Sequence, residues 1–165
     1  RFKDTPNYRT LGARVIGRDA SNWWKSIQID RGTNDGLREN LAVISADGII
    51  GKTIHVTRGE ARVLLLTDPN CKASALLQES REPGVCAGTD SIEPTFVMTY
   101  VNRGAVIRPG ERVISSGLGG VFPKGFPIGT VVKVQLNKQT GMYQDLTINP
   151  AADFRRLEEV LVILE

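Results

Sequence analysis

The sequence lacks any long apolar run. No stretch of its 165 residues approaches the roughly 18 consecutive apolar residues that cross a bilayer, and no signal-peptide pattern opens it. It begins on RFKDTPNYRT without an initiator Met. That reads as a cut inside a longer protein, so the absence of an anchor or signal here does not argue for a cytosolic home. Histidine is nearly missing: His55 stands alone, and the only cysteines are Cys71 and Cys86. One His and two distant Cys do not make a zinc set, so no metal site is expected. A hairpin turning at SREPG sets Cys86 opposite about residue 78, with Cys71 roughly 23 Å further along at strand rise. That is beyond disulfide reach, and the two read as independent small core residues. A concentrated basic cluster is lacking too. Net charge is +3, and the densest basic pair, Arg155–Arg156, is followed at once by Glu158 and Glu159. A nucleic-acid partner is therefore not expected.

What is present is strand signal. ARVIGRD, SIQID, LAVIS, GKTIHV, RVLLLT, KASALLQ, GVCAG, TFVMTYV, RVISS, GTVVKVQ, QDLTIN and EVLVIL are short and rich in β-branched or aliphatic residues. Gly, Pro, Asn and Asp punctuate them. Only NPAADFRRLEEVL suits a helical turn, with Asn149 as N-cap and Pro150 in first position. Two stretches share an order of features: LAVISADGIIGKTIHVTRGEARVLLLTDP and ERVISSGLGGVFPKGFPIGTVVKVQLNKQTGMYQDLTINP. Each has a V-I-S strand, a glycine-rich corner, G-[KT]-x-[IV]-x-V, a polar turn and an aliphatic strand ending in Asp-Pro or Asn-Pro. This predicts an all-β chain of two small six-stranded β-barrels related by internal duplication, divided near Asp68–Pro69. The glycines at the corners, Gly48, Gly51, Gly117, Gly125 and Gly129, read as turn residues.

Three catalytic readings fail on context. ADGIIGKT, Ala46 to Thr53, loosely fits a phosphate loop, and RVLLLTD even supplies a downstream Asp. A P-loop-like nucleotide-binding site joins a strand to a helix, but Lys52 is followed by β-branched TIHVTRG, so a hairpin turning at Asp47–Gly48 is expected instead. An inactive trypsin-like double barrel is the other alternative. His55 lies on a regular strand, and Ser115 and Ser116 precede GLGG, a poor nucleophile loop. The carboxylate pairs Glu158 with Glu159 and Asp4 with Asp19 lack a spacing that converges on a cleft. No enzyme activity, no catalytic residue and no cofactor follow.

Binding features carry more. In WWKSIQID, alternation puts Trp23 with Ile27 and Ile29, and Trp24 with the polar face; both packed at a hairpin corner is the equal alternative. In TFVMTYV, Phe96, Met98 and Tyr100 share one face and Val97, Thr99 and Val101 the other, so the strand is covered on both sides or lies under a partner. Phe122 and Phe126 sit in the glycine-rich loop, displayed or tucked in. Trp24, Met98, Phe122 and Phe126 are the candidate partner anchors.

IDRGTNDGLRENLAVISADGIIGKTIHVT, ARVLLLTDPNCKASALL and VIRPGERVISSGLGGVFPKGFPIGTVVKV closely resemble the extracytoplasmic part of the bacterial rod shape-determining protein MreC family. The resemblance runs from about Ala13 to Glu165. It implies a non-enzymatic scaffold of the rod complex, on the extracytoplasmic (periplasmic) face of the cytoplasmic membrane, anchored by a segment absent from this chain. Its implied partners are the penicillin-binding transpeptidase of elongation, MreD and other rod-complex proteins, and further copies of itself, through a missing coiled coil and in filaments. Direct membrane insertion by this fragment is not implied. The domains expected are residues 1–12 as a linker remnant, 13–68 plus 150–165 as the first barrel, and 69–149 as the second. KASALLQ and EVLVIL would be equivalent strands exchanged between the units.

Overall fold

Short alternating segments bounded by turn residues cannot bury their apolar face alone, and closing into a barrel removes the exposed edges. A computed structural model describes residues 8–18, 25–89, 91 and 93–164. Among them are twelve strands: β1 (Thr10–Arg18), β2 (Ser26–Ile29), β3 (Ala42–Ser45), β4 (Gly48–Val56), β5 (Ala61–Leu65), β6 (Ala73–Leu77), β7 (Pro83–Gly88), β8 (Phe96–Asn102), β9 (Arg112–Ser115), β10 (Pro127–Leu136), β11 (Tyr143–Pro150) and β12 (Glu159–Ile163). They form two closed antiparallel barrels, ordered β3-β4-β5-β2-β1-β12 and β9-β10-β11-β8-β7-β6. The two orders superpose term by term. β12 takes in the first barrel the place that β6 takes in the second, so the chain's last strand completes its first barrel.

The duplication extends to single residues. Two-to-one bulges fall at Ile50 of β4 and Ile128 of β10, followed by Gly51 paired with Val43 and Gly129 paired with Val113. The bulged carbonyls accept matching bonds, Leu66 N–H to Ile50 O and Ala151 N–H to Ile128 O, both 2.9 Å. A Cβ on Gly51 would lie 2.0 Å from Leu64 O, and one on Gly129 2.2 Å from Asn149 O. These two glycines are therefore not turn residues: they sit inside strands, where a neighbouring backbone presses too close for any side chain. Gly117 and Gly125 do turn the chain, with φ of 86° and 98°, whereas Gly48 opens β4 opposite Ser45, just past the turn. Asn40 and Gly110 are another matched pair, both at positive φ, donating to Thr53 O and Val131 O.

The barrels meet where β4 and β10 touch. Ile49 and Ile50 are consecutive yet both buried, at the bulge that interrupts the alternation of β4. The other barrel is reached at Gly48, whose Cβ would stand 2.5 Å from Pro127 O. Phe154, on the segment leading to β12, packs edge-on against Phe96 of the second barrel at 5.8 Å.

Several expectations need correction. β1 begins at Thr10 and pairs there with Ile163, so residues 10–12 belong to the barrel and not to a linker. Pro150 ends β11 opposite Gly129. No helix follows Asn149–Pro150: both stay in the strand, and the next residues make only a turn closed by Arg156 N–H to Asp153 O. Cys86 pairs with Ala73 and not with residue 78, because the chain turns earlier than expected, between Leu77 and Glu82, where Leu77 N–H bonds Glu82 O. Among the described residues no helix is long and apolar enough to cross a membrane.

Replacing Gly51 or Gly129 by Ala is expected to cost at least about 2 kcal/mol by denaturant unfolding, because backbone and not a flexible side chain must give way. Gly12→Ala, whose Cβ meets nothing within 4 Å, is expected to stay within about 0.5 kcal/mol of the parent. Equal effects at all three positions would remove the close-approach argument.

Candidate interaction surface

The glycine-rich segment 116–126 folds inward. Ser115, fully buried on β9, donates from Oγ to Pro123 O (2.5 Å) and accepts from Phe126 N–H (2.9 Å). Its backbone exchanges bonds with Phe126 O and Gly125 N–H. This clamp pulls both phenylalanines under the loop: Phe122 and Phe126 are buried, with Phe126 5.9 Å from the Tyr8 ring. Met98 is fully buried in the second barrel. These three expected anchors have no surface to give a partner, because the loop and strand spend them on their own core. The fourth, Trp24, lies outside the described residues. The loop displays Leu118 instead, 68 % exposed, between Gly117 and Gly119, both at positive φ. Alternation singled out the large aromatics; the signal for Leu118 was its place between two glycines.

The catalytic alternatives meet direct obstacles. Lys52 lies within strand β4, and the hairpin turns one residue earlier than expected, on Ala46–Asp47, with Gly48 already in β4 opposite Ser45. His55 is exposed on β4 of the first barrel, whereas Ser115, on the second, already gives its hydroxyl proton to Pro123 O. Among the described residues no group of three His, Cys, Asp or Glu is placed to hold a metal ion. Cys71 and Cys86 are buried and free. Burial pushes the Cys71 thiol up to about 12, with Asp68 adding to the rise and Lys52 opposing it; burial alone pushes Cys86 up as well.

A cleft of about 460 Å³ opens on the first barrel between β12 and β3, lined in part by Gly12, Arg14, Arg31, Ala46, Glu159 and Leu161. Its origin is a break in the duplication. In the second barrel the seam continues through Ala75–Ser115 and the Ser116 N–H to Ser74 O bond, 2.9 Å. In the first, pairing stops at Leu161–Ile44 and Val162–Val43. Among the described residues no backbone bond joins Ala46 to Glu159, the equivalent pair. The tight β3–β4 turn explains the difference: Asp47 N–H bonds Ser45 Oγ at 3.2 Å, curling the chain away before it can reach β12. Gly12 leaves the floor open, since nothing lies near its missing Cβ. Arg31 Nε donates to Gly12 O and Asp30 accepts from Arg14 N–H, so the rim is fixed while the Arg14 and Glu159 side chains stay exposed. The sequence offers no trace of this seam, because it arises from two strands about 115 residues apart that stop pairing early.

A duplicated double barrel closed by its own last strand is a specific topology, and the sequence matches the family model described as rod shape-determining protein MreC, barrel core, over residues 15–164. The chain belongs to the MreC family. The cell shape-determining protein MreC of Listeria monocytogenes is 36 % identical over 160 residues, covering 95 % of this chain and 54 % of that protein. MreC of Cereibacter sphaeroides is 31 % identical over 90 % of this chain and 47 % of its own length. The chain thus spans about half the length of the curated relatives it matches. Among solved structures, MreC of Listeria monocytogenes superposes with a TM-score of 0.89 at 35 % identity, covering 95 % of this chain and 76 % of that one. MreC of Pseudomonas aeruginosa gives 0.86 at 32 %, covering 94 % and 99 %. The MreC solved in complex with penicillin-binding protein PBP2 from Helicobacter pylori shares the fold, with a TM-score of 0.72 at 19 % identity over 95 % of this chain and 100 % of that one.

Both thiols are expected to resist a disulfide reagent at pH 8 until the protein is unfolded, since a buried thiol far above its ordinary value supplies almost no thiolate. The linkage has a definite sign. The unfolded Cys71 ionises near pH 9 and the folded one near 12, so its contribution to stability is complete below pH 9 and is lost as pH rises toward 12. Cys71→Ala should flatten that alkaline decline in a pH series of unfolding midpoints.

Proposed function

We propose that this chain is the working head of a non-catalytic scaffold on the extracytoplasmic side of the cytoplasmic membrane. It organises peptidoglycan synthesis in cell elongation by binding a penicillin-binding transpeptidase, and assembles with MreD and with further copies of itself. Membership of the MreC family supports the setting, and the Helicobacter pylori complex supports the partner class. The observation that carries the site is the open seam of the first barrel. Backbone groups of Ala46 and Glu159, left unpaired with each other, stand beside exposed Leu161 and Arg14. An extended segment of the transpeptidase could add to such a seam by main-chain hydrogen bonds, with its side chains choosing the register. Binding of this kind biases the enzyme only so far as the seam distinguishes its conformations, because a ligand shifts an equilibrium by its differential affinity alone.

The test is affinity for the soluble part of the elongation transpeptidase from the same organism, measured by calorimetry. Gly12→Trp fills the cleft from an open backbone position and is expected to weaken binding at least about ten-fold with an unchanged unfolding midpoint, as loss of a central contact does. Leu118→Asp and Trp24→Ala report on the other candidate contacts. Unchanged affinity in Gly12→Trp beside loss in either of these would move the site away from the seam. No binding by the parent chain would overturn the scaffold reading itself.

A further inference from the structure

The two barrels are alike in topology but not in charge. From Pro94 to Gln144 there are six Lys or Arg and one acid, Glu111, a formal +5 in a chain whose total is +3, which leaves −2 for everything else. Glu111 does not offset that charge at the surface. It is buried, and its Oε2 accepts from Glu79 and Ser80 N–H at 3.1 and 2.6 Å.

The excess includes the end of the second barrel formed by the β8–β9 loop and the β10–β11 hairpin. Two sets of bonds hold these together, Arg103 Nη1 to Gly141 O at 2.9 Å and Gln144 Nε2 to Asn102 O and Ala105 O at 2.8 Å each, while Asn137 N–H to Tyr143 O closes the hairpin itself. This end displays Tyr100, Val106 and Met142, 64 %, 78 % and 63 % exposed, with Leu136 beside them. Tyr100 departs from the alternation expected for its strand. A bulge opposite Asp145 turns it out at φ 65°, while Val101 turns in. A left-handed tyrosine is a strained choice, and its ring rests edge-on against Tyr143 at 5.5 Å.

The matching end of the first barrel serves as an internal control. Its β2–β3 loop and β4–β5 hairpin carry Asp30, Asp35, Glu39 and Glu60 among Arg31, Arg38 and Arg58, and no large apolar side chain there is exposed.

We propose that this end of the second barrel docks on an anionic phospholipid surface. Apolar and aromatic tips beside Lys and Arg, with the one neighbouring surface acid, Asp145, half-buried and bonded to Asn137 Nδ2, are the chemistry of interfacial adsorption. They protrude singly, which suits a yielding headgroup layer better than a rigid protein partner whose pockets receive anchors. Adsorption needs no spanning segment.

The experiment is co-sedimentation of the 165-residue chain with phosphatidylcholine vesicles, with and without about 30 % phosphatidylglycerol, at low salt and at about 0.5 M, where screening is short-ranged. Binding is expected to the anionic vesicles only, and to fall with salt. Neutralising Arg103 and Lys138 together by Ala is expected to weaken it about 25-fold, five-fold for each residue at about 1 kcal/mol per basic side chain near the surface. Tyr100→Asn with Met142→Ser is expected to weaken it about ten-fold or more, with the fold retained because Asn tolerates the left-handed conformation; the unfolding midpoint checks this. Equal binding to neutral vesicles, no binding to either, or undiminished binding by both folded variants would overturn the proposal. Transpeptidase affinity lost in these variants with vesicle binding intact would give this end to a protein partner instead. A chain that binds transpeptidase but no vesicle overturns only the lipid reading and leaves the seam proposal standing.

Discussion

Everything in this molecule depends on two points where neighbouring backbones pass too close for a Cβ. At Gly51 and Gly129 the adjacent strand's carbonyl stands about 2 Å from where that atom would be. Immediately before each, a bulge at Ile50 or Ile128 adds a residue and bends the strand. A six-stranded barrel is narrow, so its longest strands must coil sharply, and a bulge followed by glycine supplies that bend without breaking the ladder. The bend also brings the first residues of each strand, still paired within its own barrel, against the other barrel, which is why β4 and β10 make the junction. Closure and domain packing are thus one structural event, repeated twice.

That dependence explains what could be read beforehand. The repeated order of V-I-S strand, glycine corner and G-x-x-[IV]-x-V segment was visible because both copies answer the same bend with the same residues. The mechanism was not visible. A glycine in a corner and a glycine under a neighbouring carbonyl look alike in a sequence, so Gly51 and Gly129 read as turns. Phe122 and Phe126 posed the same problem in another form. Whether a loop aromatic is shown or hidden depends on what else the loop can bury, and Ser115, spent on Pro123 O and Phe126 N–H, decides it. Tyr100 escaped because strict alternation assumes no bulge. The charge asymmetry is hidden for a different reason: the basic residues are not clustered, and the signal is the scarcity of acids across 51 positions.

Duplication makes each barrel the other's reference, so departures from equivalence mark where the two halves have taken separate roles. Shared features, the bulges, the glycines and the positive-φ loop residues Asn40 and Gly110, are the requirements of the barrel. The differences lie at the surface. The first barrel leaves its seam open where the second continues pairing. The second barrel loads one end with apolar tips and basic charge where the first is polar and mixed. Neither departure improves folding, since one forgoes a backbone pair and the other holds a tyrosine in a strained conformation while exposing methionine and valine to water. A structure that gives up local stability at two unlike places, against an internal standard that shows the alternative, is best understood as a scaffold with two distinct contact surfaces. On the proposals above, one barrel receives an extended chain and the other meets a charged surface.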